Sequence, residues 1–145
     1  MAEPEHQNAE HMVPKAVVAE ELSPAKSLMA HVQEQLHDPR TGRLDAQRIA
    51  QALRIPVSRL AKTLGVSDSA LQKNPTSGSI QGPLGRIVYA ITTLERVLGN
   101  EEQVLKWLNA PHPDFGGRTP LSVIEGSRVD AVIGLLEGAL AGQMS

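Results

Sequence analysis

The sequence predicts an all-α fold. Apolar residues make up 41% of the 145 residues and are almost all Leu, Ile, Val and Ala, whereas aromatic residues make up only 2%. Helix formers recur along the whole chain, and no segment shows the apolar–polar alternation of a strand. Apolar positions at helical spacing are separated by Pro, Gly and Ser breakers. We therefore expect short helices joined by turns, arranged as one domain or two small ones.

Composition excludes several classes of protein. The chain has no cysteine, which excludes a disulfide framework, thiol chemistry and a Cys-based zinc site. No apolar run approaches the roughly 20 residues needed to span a bilayer. The acidic N-terminal residues also lack the apolar region of a secretory signal. We expect a cytoplasmic protein without a membrane partner.

The chain divides into three predicted segments. Residues 1–22 carry five glutamates against one lysine and no clean periodicity, which predicts a flexible tail. Residues 23–83 form a helical region, and residues 84–145 form a small C-terminal helical domain. In the middle segment, Ser23-Pro24 can cap and open a helix, which should end at Asp38-Pro39.

Each later helix has its own start signal. Asp45 can cap a second helix, Pro56 can open a third that ends at Gly65, and Ser67 can cap a fourth that runs to about Lys73. Residues 75–83 predict a Ser-, Gly- and Pro-rich loop.

The strongest helical period runs from Leu84 to Leu98, and its apolar face suits a core or a dimer equally. Gly99 ends that helix. Asn100, Thr119-Pro120 and Ser127 are the predicted caps of three further helices.

Residues 57–73 have the pattern of a helix-turn-helix. Ala61 allows two helices to approach closely, Gly65 lies in the turn, and Val66 fills the junction between the helices. Such a pair can place its second helix in the major groove of DNA. The alternative is an ordinary packing corner between two helices.

Charge supports nucleic-acid contact without requiring it. Residues 40–73 carry seven basic side chains against two acidic ones, although a solvated helical surface would look the same. In the DNA interpretation Arg59, Lys62 and Lys73 reach phosphates. The candidates for base contacts are Ser67, Asp68, Ser69 and Gln72. The second helix has one basic residue, so we expect weak binding by a monomer and useful affinity from a homodimer.

Catalytic and metal-binding patterns are absent from the sequence. There is no HExxH, no phosphate-binding Gly loop and no nucleophilic triad spacing. His112 and Asp114 can in principle perform acid–base chemistry, but two polar loop residues explain them better. We expect no enzyme activity, no metal site and no cofactor.

The segment from Trp107 to Ile124 is unusual in composition. It holds the only Trp and the only Phe of the chain, together with three prolines and the Gly116-Gly117 pair. Large apolar side chains on a loop stiffened by proline suit either a core or a partner surface.

An ordered set of residues carries a family resemblance. After the helix-turn-helix region, an apolar helix ends in a Leu-Gly pair, a second helix holds Trp-Leu, and a Pro, a Gly, a Thr-Pro-Leu and a terminal Gly follow. These positions are Leu98-Gly99, Trp107-Leu108, Pro111, Gly117, Thr119-Pro120-Leu121 and Gly142. Over residues 44–142 the chain resembles the Xre/MbcA/ParS antitoxins of RES-Xre toxin–antitoxin systems.

The resemblance implies both a fold and a function. It implies an Xre-like helix-turn-helix followed by a helical toxin-binding domain. It also implies an antitoxin that neutralises a RES-domain toxin and, alone or with the toxin, binds operator DNA to repress its own operon. The degradation of NAD belongs to the toxin. The alternative is a stand-alone transcriptional regulator whose C-terminal domain only dimerises.

The arginines and the last residues are the predicted toxin contacts. Arg118 and Arg128 can pair with carboxylates of a partner. Gly142, Gln143, Met144 and Ser145 form a polar segment, predicted to lie past the last helix, that could enter a toxin's cleft. We expect Trp107, Pro120 and Leu121 to close the core instead.

Overall fold

The computed structural model describes residues 34–144, and its regular structure is helical apart from a single antiparallel bridge between His37 and Leu44. The all-α prediction is therefore confirmed. The predicted tail 1–22 and the predicted helix start at Ser23 lie outside the described residues, as does Ser145. Residues 34–36 are helical, and no helix continues into Asp38-Pro39.

The first three complete helices begin and end as predicted. They are α1 (Ala46–Leu53), α2 (Val57–Leu64) and α3 (Asp68–Lys73). The Asp45 carboxylate caps α1 by accepting from the backbone N–H of Gln47 at 2.8 Å. The Ser67 hydroxyl caps α3 by accepting from Ala70 N–H at 3.1 Å. Gly65 ends α2 in the left-handed region with φ of 75°, a conformation that glycine adopts without a steric cost.

The fourth helix, α4 (Gln81–Leu98), begins earlier than predicted. The predicted loop 75–83 instead contains a 3-10 turn, Gly78–Ile80, followed directly by the first turn of α4. Pro83 is tolerated there because the first-turn N–H groups have no helical partner. The Gln81 amide also anchors this start: its Oε1 accepts from Leu44 N–H and its Nε2 donates to Leu44 O, each at 2.9 Å.

The C-terminal helices are α5 (Glu101–Leu108), α6 (Pro120–Glu125) and α7 (Val129–Met144), with a 3-10 turn at Pro113–Phe115. Two of the predicted caps are confirmed. Asn100 accepts from Gln103 N–H at 2.9 Å, and Thr119 accepts from Ser122 N–H at 3.1 Å.

The predicted cap at Ser127 is wrong. Ser127 has φ of 63° and ends α6 instead of starting α7. Its N–H bonds to Ile124 O and the next N–H, of Arg128, bonds to Val123 O, each at 3.0 Å. This pair of bonds is the Schellman motif, which requires a left-handed residue at Ser127. Gly126, the residue before it, has φ of −81° and does not take the left-handed conformation.

Helix α4 lies at the centre of the core. It packs most extensively on α7 and also contacts α1 and α5, while α2 contacts α1, α3 and α6. Its buried apolar side chains include Leu84, Ile87, Val88, Ile91 and Leu94. The apolar face of this helix therefore serves the core of one chain. None of the described helices is long and apolar enough to cross a membrane.

Candidate partner-binding groove and helix-turn-helix

Helices α2 and α3 form the predicted helix-turn-helix contact. Ala61 is 1% exposed and Leu71 is 2% exposed, so the two helices meet through buried small and aliphatic side chains. Val66 is half-buried against the same cluster, and its N–H bonds to Ala61 O at 3.0 Å. The geometry gives Ala61, Gly65 and Val66 the packing roles predicted for them.

The candidate DNA contacts on α3 all lie on the surface. Ser67, Asp68, Ser69, Gln72 and Lys73 are exposed, and so is Lys62 on α2. Asp68 Oδ1 accepts from Gln72 Nε2 at 3.0 Å. The second N–H and the Oε1 of Gln72 have no bond among the described residues, so a base contact is compatible with this pair.

Arg59 has a different neighbour from the other basic candidates. Its guanidinium pairs with the carboxylate of Glu125 at the end of α6, so it is held against the C-terminal helices. The side chain is still 52% exposed and can therefore be reached by solvent. The prediction did not include this partner.

Two hydrogen bonds reinforce the same junction. Thr63 Oγ1 donates to Glu125 O at 3.0 Å, and Ser127 Oγ donates to Thr63 O at 2.8 Å. Together with the Arg59–Glu125 pair, these bonds join α2 to the turn between α6 and α7. We call these four residues the α2–α6 clamp. No sequence pattern relates residues about 60 positions apart, which is why the clamp was missed.

The loop from His112 to Arg118 closes on itself. His112 N–H donates to Arg118 O and Gly117 N–H donates to His112 O, each at 3.0 Å. Gly116 and Gly117 have φ of 64° and 86°, which lets the chain reverse there. The His112 ring lies between Trp107 and Phe115, with centroid distances of 5.8 and 5.3 Å.

His112 has a structural role in this loop. Its Nδ1 accepts from the backbone N–H of Asp114 at 3.1 Å and so caps the 3-10 turn. The contact between the two residues runs through the backbone of Asp114, not through its carboxylate. The expected core role is confirmed for Pro120 and Leu121, which are buried, while Trp107 is half-buried against the core.

A surface groove of about 490 Å³ lies between this loop, α6 and α7. Its lining brings together the two arginines predicted from the sequence. The lining residues are Asp114, Phe115, Arg118, Val123, Arg128, Ala131 and Leu135. Arg118 lies at the end of the loop that precedes α6, and Arg128 directly follows the Schellman turn that ends α6. Phe115 stood out in the sequence as the only Phe, whereas Val123 had no signal because α6 is too short for a periodic pattern.

The predicted C-terminal segment continues the last helix. Helix α7 runs through Met144, so Gly142, Gln143 and Met144 do not form a tail beyond the helix as predicted. The reason is that Gly138 and Gly142 do not interrupt α7, although glycine weakens a helix. Gly142 is exposed, and Ser145 lies outside the described residues.

Among residues 34–144, no group of three His, Asp or Glu side chains is placed to hold a metal ion.

A comparison with known families finds a match in the C-terminal part of the chain. Residues 93–138 match the model of the antitoxin Xre/MbcA/ParS C-terminal toxin-binding domain. No curated protein and no solved structure matches the chain significantly. The matched residues begin within α4, end within α7 and contain every residue that lines the groove.

The C-terminal helices are therefore similar to an antitoxin toxin-binding domain over residues 93–138. This part of the chain supports the predicted antitoxin resemblance. The match includes Arg118 and Arg128, but it does not include the helix-turn-helix or residues 139–145.

Proposed function

We propose that the chain is a cytoplasmic antitoxin that binds and neutralises a cognate RES-domain toxin, an enzyme that degrades NAD. The match of residues 93–138 to a toxin-binding domain carries the proposal. The groove supports it, because an apolar floor between two arginines suits contact with another protein. In this proposal Arg118 and Arg128 contact the toxin, and residues 142–145 add a second contact from the end of α7.

The proposal includes autorepression through operator DNA. Gly65 joins α2 to α3, as the helix-turn-helix pattern requires. Apart from Arg59, the side chains proposed to contact DNA form no hydrogen bond or ion pair with the C-terminal helices within the described residues. In this proposal Lys62 and Lys73 reach phosphates, and Arg59 does so when it leaves Glu125. Ser67, Asp68, Ser69 and Gln72 face the bases.

The DNA-binding form is proposed to be a homodimer, because one short recognition helix with a single lysine binds weakly alone. Helix α4 does not supply the dimer contact, since its apolar side chains are buried within one chain. A different surface must therefore join the two copies.

Co-expression tests the antitoxin proposal. The RES-domain protein encoded beside this gene is expressed alone and together with the antitoxin, and both growth and cellular NAD are measured. The toxin alone should deplete NAD and stop growth, and the antitoxin should restore both. Failure of rescue, together with sequence-specific operator binding by the purified chain, would favour a stand-alone regulator.

A truncation tests the end of α7. A chain that stops at Ala141 lacks Gly142, Gln143, Met144 and Ser145 but keeps every groove residue. We expect weaker neutralisation in the same growth assay. Unchanged neutralisation would remove this segment from the toxin contact and leave the groove as the remaining candidate.

A further inference from the structure

The groove carries two arginines that have no ion pair among the described residues. Arg40, Arg48, Arg54, Arg59 and Arg86 each form an ion pair with a carboxylate of the same chain. Within residues 34–144, the side chains of Arg118 and Arg128 form no such pair. Arg118 makes one long bond, from Nη2 to Ser122 O at 3.4 Å. Both guanidinium groups are therefore available to a partner's anions.

The floor between the arginines is apolar. Val123 is 4% exposed and forms its base, while Phe115 and Leu135 are half-buried along it. Ala131 is exposed on α7, so a small side chain leaves room above the helix at that point. A purely ionic ligand would leave this apolar surface in water, which favours a ligand that also carries aliphatic or aromatic groups.

The rim also carries one negative charge. Asp114 lines the groove and its carboxylate has no ion pair among the described residues. The groove therefore has a net charge of about one positive unit, with the cations on α6's two flanks and the carboxylate on the loop. An anionic ligand gains from both arginines and is opposed by Asp114.

We propose that this groove binds an acidic, apolar-flanked segment of the toxin, with carboxylates at Arg118 and Arg128 and an aliphatic or aromatic side chain on Val123 and Leu135. This inference rests on the proposed function and specifies the partner's chemistry at that surface. The groove volume of about 490 Å³ holds a few side chains and not a whole helix. Charge pairs at the rim of the groove set the orientation of the segment, and its apolar side chain buries apolar surface on binding.

Charge variants test the inference on the full chain with the purified RES-domain protein encoded beside its gene. Arg118→Gln and Arg128→Gln should each weaken the toxin complex about 10-fold, because each leaves a partner carboxylate without its cation. Asp114→Asn should tighten it roughly twofold, because it removes a like charge. The control is Lys106→Gln, which removes one positive charge from exposed α5 outside the groove and should change Kd by less than about twofold.

A second pair of variants tests the apolar floor independently of charge. Ala131→Trp places a large side chain in the groove, whereas Ala139→Trp places the same side chain on an exposed position of α7 that does not line it. Only Ala131→Trp should weaken toxin binding by more than about 10-fold. Both alanines are exposed, and thermal unfolding monitored by circular dichroism checks that both variants fold.

The outcomes separate this inference from the proposed function. If the wild-type chain does not bind the toxin, the proposed function fails. If it binds, and both arginine variants bind equally well, the inference about the groove fails while the antitoxin function stands. A loss of operator binding in the arginine variants with unchanged toxin binding would assign the groove to nucleic acid and overturn the inference. An equal loss in both tryptophan variants would also overturn the groove as the docking site.

Discussion

The guanidinium of Arg59 on α2 pairs with the carboxylate of Glu125 at the end of α6. This pair joins the predicted helix-turn-helix to the helices that match the toxin-binding domain model. It also gives Arg59, a predicted phosphate contact, a competing anion within its own chain. Because both side chains are partly exposed, the pair is modest in energy and can exchange with another anion.

Removing the Glu125 charge should strengthen operator binding. In Glu125→Gln the Arg59 guanidinium loses its internal anion and becomes available to a phosphate. We expect a several-fold tighter complex, and a salt dependence that steepens by about 0.9 in the slope of log K against log salt. Fluorescence anisotropy with labelled operator, measured over a range of salt concentrations, provides both values.

The control for this variant is Asp130→Asn. It removes the same charge and releases Arg86, an arginine outside α2 and α3. If both variants tighten binding equally, the effect comes from net charge and Glu125 has no special relation to Arg59.

The Thr63 hydroxyl should stabilise the junction between the two parts of the chain. Its single hydrogen is shared between Glu125 O at 3.0 Å and Arg59 O at 3.1 Å, and Thr63→Val removes both contacts while keeping the side-chain shape. We expect a loss of about 1 kcal/mol in the free energy of unfolding, which corresponds to a fall of roughly 4 °C in Tm.

Ser58→Ala is the matched control for Thr63→Val. Ser58 lies on the same helix, is exposed, and takes part in no side-chain hydrogen bond of the described residues. A Tm change in Ser58→Ala as large as that in Thr63→Val would mean that helix propensity, and not the clamp, is responsible.

Most of the helices could be predicted from the sequence because their boundaries are local. Asp45, Ser67, Asn100 and Thr119 each cap the helix predicted for them, since a capping bond joins residues only two or three positions apart. The wrong prediction at Ser127 has the same local character. Serine is a residue type that favours helix caps, and the bond from Ser127 to Thr63 O was not visible in the sequence.

The candidate site was only partly predictable. Arg118 and Arg128 stood out as cations near an unusual loop, and the structure brings them to one groove. The floor of that groove depends on how α7 packs beside α6, which no local pattern encodes. The partner of Arg59 was missed for the same reason, because a charge pair about 66 positions apart follows from the tertiary fold.

Two alanine substitutions at glycine should have opposite effects on stability. Gly65 ends α2 with φ of 75°, so Gly65→Ala forces a side chain into the left-handed region and should cost about 1 kcal/mol of unfolding free energy. Gly85 lies inside α4 and an added Cβ meets nothing within 4 Å. Gly85→Ala should therefore raise the free energy of unfolding by about 0.5–1 kcal/mol, because alanine loses less backbone entropy.

Chemical denaturation of the three proteins measures both changes. The midpoint should move in opposite directions with similar m-values, since neither substitution alters the area exposed on unfolding by much. A stabilising effect of Gly65→Ala would contradict the left-handed turn between α2 and α3.

His112 should hold the loop that positions Arg118. Its Nδ1 caps the Pro113–Phe115 turn, and its ring contacts Trp107 and Phe115. His112→Ala removes both kinds of contact, whereas His112→Asn keeps a side-chain acceptor that suits a cap but removes the ring. We expect toxin binding to weaken in the order wild type, His112→Asn, His112→Ala, with a total loss of stability of about 1–2 kcal/mol in the alanine variant.

Calorimetric titration with the toxin and thermal unfolding provide the two measurements. Equal toxin affinity in all three proteins would contradict this prediction. Arg118 would then keep its position without the His112 contacts, and the histidine would contribute only to the stability of the fold.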